Sequence, residues 1–327
     1  MSRPLTVTAA RHFVNETPAL QVLALVGLFA GAALTISGFL TKPSLYSTLV
    51  LASFLGLAAA GQTLVILIGG IDLSVPSLIS AANLIIVLLS GKGWNFGLVI
   101  LLVLAMCAVI GGLNGYLVHR LGTSPLIVTL ATGAMTAGVA LGLSNSGFVQ
   151  GDVPGWLSRF SSPIGRTFGV GVPPVVVLWV VVALALGTVL RSTATGCRLY
   201  ATGANERAAE LAGVSTSRIR IGAFALSGLS AGLVGLLLTG FIGSAQVGIG
   251  DQYLFLSLTA VVVGGTSLVG ARGDYWRTVL GALILTLITT LLIGHGAGYS
   301  SQEMLFGALI LFFVGLYGRD RRVRDRV

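Results

Sequence analysis

Few side chains in these 327 residues are equipped for acid, base or metal chemistry: ten are acidic and three are histidine. Asp72, Asp251, Asp274 and Glu303 fall at the ends of apolar runs, and His12, His119 and His295 are scattered along the chain. The sequence has no G-x-x-x-x-G-K-[ST] phosphate cradle, no H-E-x-x-H and no C-x-x-C. We therefore expect no enzyme activity and no cofactor or metal bound by this chain. A carboxylate in the middle of an apolar run is the usual mark of ion-driven transport, because burying it is costly unless it has a task. None occurs, which argues against an ion-driven carrier. The apolar runs hold neutral hydrogen-bonding groups instead: Gln62, Thr63, Asn83, Asn114, Thr129 and Thr132. Such groups suit a neutral, hydroxyl-rich solute such as a sugar. They equally suit interhelical hydrogen bonds worth about 0.6 to 2 kcal/mol each. Gln62, Asn83, Asn114 and Thr132 are the candidates for lining a solute pathway.

Charge is concentrated in one stretch. Residues 201–221, ATGANERAAELAGVSTSRIRI, carry two glutamates and three arginines in a chain that is 9% charged. Asn205 suits a helix N-cap, Glu206 falls in the first turn where the helix dipole favours an acid, and Gly213 can close the helix in a left-handed conformation. About two turns result, too short to be stable alone in water. Two readings stand at this point. The alanine face lies in another protein's groove with Glu206, Arg207 and Glu210 at the rim, or the helix rests on its own domain.

The elements that must position these residues are membrane helices. Hydrophobic residues make up 55% of the chain, 46 residues are glycine, and the mean hydropathy is +0.97. Repeated apolar runs of about 17 to 23 residues match a bilayer crossing. We expect an all-α, polytopic membrane protein with about ten transmembrane helices, at 19–40, 46–68, 74–90, 97–118, 125–144, 173–190, 221–243, 252–270, 276–294 and 302–317. With both termini cytoplasmic, fifteen of the nineteen basic residues fall on the cytoplasmic side, leaving only Lys42, Lys92, Arg159 and Arg166 outside. Residues 1–18 then form a cytoplasmic segment, 19–317 one membrane domain with a cytoplasmic loop at 191–220, and 318–327 a basic cytoplasmic tail. The first run reads as a retained helix rather than a cleaved signal. The net charge of +9 reports topology and not nucleic-acid binding, since no basic patch is interleaved with aromatics.

Local signals add detail. In 69 GGIDLSVPSLIS 80 the glycines end one helix, Asp72 or Ser74 caps the next, and Pro76 sits in its first turn. A second pair in 261 VVVGGTSLVGARGDYW 276 ends another span at the same face and echoes the first. Gly138 and Gly142, like Gly228 and Gly232, have the spacing of close helix packing. Cys107 and Cys197 are placed too differently to pair. The external segment 145–172, with Asp152 and Trp156, is either a connector or a contact for an external partner.

GGIDLSVPS, the run NGYLVHRLGTSPLIVTLATGAMTAGVAL at 114–141, TGCRLYATGANERAAELAGVSTSRIR and VVVGGTSLVGARG together resemble the membrane permease subunit of ribose-type ABC importers, the branch serving monosaccharides and autoinducer-2. The resemblance covers most of the chain. It implies a type II importer fold in the bacterial inner membrane. Two permease subunits would form the pathway, two cytoplasmic ATPases would hydrolyse ATP beneath them, and a periplasmic binding protein would deliver the solute. It also implies that 203–213 is the coupling helix seated on the ATPase. Asn205, Glu206, Ala209 and Gly213 stand at its motif positions, and Gly203, Arg207 and Glu210 complete the candidate contact. The sequence departs from the family where Pro76 replaces a usual Gly and where Gly270-Ala271-Arg272-Gly273 replaces GGRG. The competing expectation is a secondary carrier or facilitator that works without an ATPase.

Overall fold

A computed structural model describes residues 19–324 except 145–147, 152, 168 and 170. Arg3, Arg11, His12 and Asp152 thus lie outside the described residues. The described chain is a helical assembly with one two-stranded ribbon. Its long helices are α1 (Ala19–Thr35), α2 (Lys42–Leu67), α3 (Val75–Gly91), α4 (Phe96–Leu121) and α5 (Pro125–Ser144). Then come α7 (Pro174–Ser192), α10 (Thr216–Ile242), α11 (Gln252–Val263), α12 (Tyr275–Gly294) and α13 (Tyr299–Arg324), with α6 (Gly155–Ser161), α8 (Ala194–Ala204) and α9 (Glu206–Leu211) as short connectors. Strands β1 (Phe148–Gln150) and β2 (Ser244–Gln246) pair antiparallel.

Six of these helices, α2, α4, α5, α7, α10 and α12, are long and apolar enough to cross a membrane, and α1, α3 and α11 are shorter apolar helices. The expected span at 252–270 falls short, and the last helix runs beyond the expected 302–317 at both ends. Helix α11 stops at Val263, where Gly265 adopts φ 98° and the amides of Gly265 and Thr266 fold back onto Val262 O and Val261 O. Twelve residues rise only about 18 Å. Helix α2 ends by the same device, with Gly69 at φ 78° and the amides of Gly69 and Gly70 bonded to Ile66 O and Val65 O. The two glycine pairs do share a cap.

Helices α2 and α10 are the buried core, whereas α4 and α5 expose most of their apolar surface. Close approach is made by glycine. A Cβ on Gly111 of α4 would strike Phe224 O of α10, and one on Gly228 would strike Cys107 O. Gly232 also packs on Cys107, as its spacing suggested, but Gly138 and Gly142 of α5 face open space within this chain. Tyr275 of α12 ties three helices, donating to Gly56 O at 2.7 Å and accepting from the Trp179 indole at 3.1 Å.

Both chain reversals and polar contacts sort to two ends. Segments 67–70, 192–216 and 264–274 gather at one end, here the Gly203 end. The β1–β2 ribbon and α6 lie at the other, where Leu157 and Ser161 of α6 pack against Gly240.

Candidate functional site

The short helix α9 forms as its sequence dictates. Asn205, extended at φ −161°, accepts from Ala208 N at 3.0 Å as an N-cap. Gly213 is left-handed at φ 82°, and the pairs Gly213 N→Glu210 O and Val214 N→Ala209 O close the C-terminus as a Schellman motif. Six residues of high helix propensity, ERAAEL, are thereby held at both ends.

Both glutamates are partnered within the chain, Glu206 at a half-exposed and Glu210 at an exposed position. Glu206 forms an ion pair with Arg220 at 2.5 Å on the first turns of α10 and stands 3.8 Å from His119 Nδ1 at the end of α4. Glu210 accepts from Thr216 Oγ1 at 2.6 Å. Ala209 is buried against the protein. The outward face is Ala204, Arg207, Ala208 and Leu211, the leucine being 85% exposed. Glu206 fastens the helix to the bundle, and Arg207, Glu210 and Leu211 with the small alanines remain available to a partner.

Its seat is a junction of three loops. Gly203 packs directly on Leu67 O at the end of α2, leaving no room for a Cβ, and the same carbonyl accepts from Ala271 N at 2.9 Å. Tyr200 donates to Gly273 O at 2.8 Å, and Arg191 forms an ion pair with Asp274, the N-cap of α12. Burial, and then the neighbouring Asp274 carboxylate, push the Tyr200 phenol above its ordinary value, so it stays a donor at neutral pH. Ala271, at φ 58°, is the non-glycine residue with positive φ in this loop, at the position where the family resemblance leads one to expect glycine.

The main correction concerns Asp72. The sequence places it at a helix end as a simple cap, but it is 1% exposed and lies inside the bundle. Its Oδ1 accepts from Ser74 N at 2.9 Å and Ser74 Oγ at 2.6 Å, while Oδ2 accepts from Ser227 Oγ of α10 at 2.7 Å. Asn114 of α4 donates to Ser74 Oγ at 3.0 Å. A carboxylate is thus buried among the helices after all, and the inference drawn from its absence loses that support. Sequence spacing gave no hint of the Ser227 contact, 155 positions away.

The pathway candidates separate. Asn83 is fully engaged, donating to Thr239 Oγ1 at 2.9 Å and Ser244 O at 3.2 Å and accepting from Gln246 N at 3.1 Å. Thr132 bonds back to Val128 O at 2.9 Å in its own helix. Thr129 accepts from Leu73 N at 3.0 Å, and Thr63 meets Thr278 at 2.9 Å. Gln62 Oε1 and Asn114 Oδ1 are buried acceptors with no protein donor among the described residues. No group of three or more potential metal ligands occurs among those residues.

Comparison with known proteins completes the site. The family described as branched-chain amino acid transport system, permease component, matches residues 44–314. The chain is 33% identical over 319 residues to the ribose import permease protein of Escherichia coli strain K12, covering 94% of this chain and 97% of that one. It is 34% identical over 320 residues to the fructose import permease protein of Rhizobium meliloti, covering 96% and 89%, and 32% identical over 259 residues to the ribose import permease protein of Bacillus subtilis strain 168, covering 79% and 80%. No solved structure matches the chain.

Proposed function

This chain belongs to that family of transport-system permease components, and from that premise we propose that it forms the membrane pathway of an ABC importer for a neutral sugar. It is a helical, multi-pass membrane protein, and its relatives are named for ribose and fructose import. In the proposed assembly two such subunits, copies or paralogues, enclose the pathway in the bacterial inner membrane. The six long helices, the three shorter apolar ones and α13 make ten crossings with both termini cytoplasmic. A periplasmic binding protein delivers the sugar at the ribbon end. An ATPase binds at the Gly203 end and supplies the ATP chemistry that this chain's own motifs do not.

The observation that carries the coupling reading is α9: a doubly capped helix, bonded to α10, presenting Leu211 outward at the arginine-rich end. Gly203, Asn205, Ala209 and Gly213 shape and seat it, Glu206 and Glu210 fasten it, and Arg207 and Leu211 meet the ATPase. The free acceptors of Gln62 and Asn114 suit sugar hydroxyls better than the saturated Asn83 does.

A second reading has one observation in its favour: buried Asp72 is the kind of group an ion-driven carrier needs. Reconstitution separates the two. Proteoliposomes containing this chain, its partner ATPase and binding protein accumulate labelled ribose or fructose only with internal ATP under the importer reading. Uptake by the chain alone, driven by a proton or sodium gradient, overturns it.

A further inference from the structure

Two polar ties leave helix α10 on one face. Arg220 holds Glu206 of α9, and Ser227, seven residues on, holds Asp72 ahead of α3. Seven residues are nearly two turns, so both side chains point to the same side, about 10 Å apart along the axis. Between them α10 is locked to α4 by glycine. Gly115 packs against the backbone of Arg220 and Ile221, Gly111 against Phe224 O, and Gly228 against Cys107 O, with no Cβ at these glycines to let the helices slide apart. The locked pair grips both neighbours from both members. His119 of α4 stands beside Glu206 where Arg220 of α10 binds it, and Asn114 of α4 bonds Ser74 where Ser227 of α10 bonds Asp72.

We propose that Asp72 and Ser227 are positioning residues for transport. They carry displacement of α9, through the rigid α4–α10 pair, to the broken segment 68–74 that starts α3. The proposal rests on the importer reading above and extends it from where force enters to where it is delivered. Packing alone gives no reason for a carboxylate here, since burying a charge among helices is costly even when it is hydrogen-bonded. A device that must hold segment 68–74 to α10 while leaving that contact reversible gives one, α3 itself being fixed to α10 further on, where Gly235 packs on Ile79 O. Hydroxyl-to-carboxylate bonds are strong and directional, yet they reform in a new geometry, which interlocked glycine backbones do not.

The test uses the complete complex in proteoliposomes, with ATP hydrolysis and labelled ribose uptake measured together. Ser227→Ala should leave ATPase association and hydrolysis near the unmodified level while ribose imported per ATP falls about tenfold, a typical size for coupling between sites. Ser227→Thr, which keeps the hydroxyl, should restore it. Glu206→Ala breaks the upstream tie at a half-exposed position and should uncouple similarly, with folded protein measured alongside because Arg220 is left unpaired. Because the two ties act in series, the double variant should be no worse than either single one. Hydrolysis and uptake falling together, in step with folded protein, would make the cluster merely structural and overturn the proposal. So would unchanged uptake per ATP in Ser227→Ala. If the unmodified complex shows no ATP-dependent uptake of ribose, fructose or any other neutral sugar that its binding protein holds, the importer reading fails and this proposal falls with it.

Discussion

Helix α10 meets α4 and α9 in opposite ways. Against α4 it sets Gly228 on the Cys107 and Gly111 backbone, while Gly111 and Gly115 of α4 sit on the backbone of Phe224, Arg220 and Ile221. Against α9 and the segment leading into α3 it uses side chains, Arg220 to Glu206 and Ser227 to Asp72, and against α3 itself it uses both, Thr239 bonding Asn83 and Gly235 packing on Ile79 O. Glycine seams have one arrangement, because any separation leaves a void that nothing fills. Polar ties have several, because a carboxylate accepts from more than one direction. The difference teaches where this fold is fixed and where it is free to be displaced.

The contrast can be broken most severely at the seam. Gly111→Leu inserts a side chain where Phe224 O stands and should destabilise the protein by about 3 kcal/mol, the upper range for overpacking. Loss of folded protein in detergent, followed by thermal melting, measures it. Asn83→Ala removes a tie at the ribbon end and leaves Gln246 N–H without its acceptor, costing about 2 kcal/mol. Unlike a pathway variant, it should not change the sugar concentration at half-maximal uptake. Glu206→Ala should cost about 1 to 3 kcal/mol, because it leaves the largely buried Arg220 guanidinium without its partner, yet it should reduce transport more than stability. A transport loss proportional to the stability loss would erase the distinction between seam and tie. The smallest change is a gain: Ala271→Gly relieves a left-handed alanine and should raise stability by about 0.5 to 1 kcal/mol in the same melts.

Helices were legible wherever apolar length or a local cap defines them. Asn205, Gly213 and both glycine pairs behave as their types require, because capping involves residues within one turn. Pro76 sits in the first turn of α3, as its fixed geometry allows. The span at 252–270 was misjudged because hydropathy continued through Ser267, Leu268 and Val269 after the backbone had already turned at Gly265. Asp72 was misread for a different reason. Its local sequence is that of a cap, and it does accept from Ser74 N, but its burial is decided by Ser227 and Asn114, on helices distant in the chain. That Glu206 and Glu210 also bond within the chain was not legible, because sequence cannot say which way a short helix is rolled; Arg220 and Thr216 set that roll. Of the pathway candidates, only pairing in three dimensions separates saturated Asn83 from Gln62 and Asn114.

Crosslinking from the outward face of α9 tests the central claim most directly. In a Cys197→Ser background, since Cys197 is exposed, Leu211→Cys is compared with Ile164→Cys, a position 88% exposed at the ribbon end. With a short thiol-reactive crosslinker in membranes holding the whole transporter, position 211 should join the ATPase and position 164 should not. Equal yields, or ATPase captured only at 164, would contradict the assignment of α9 as the site where ATP hydrolysis is coupled to this permease.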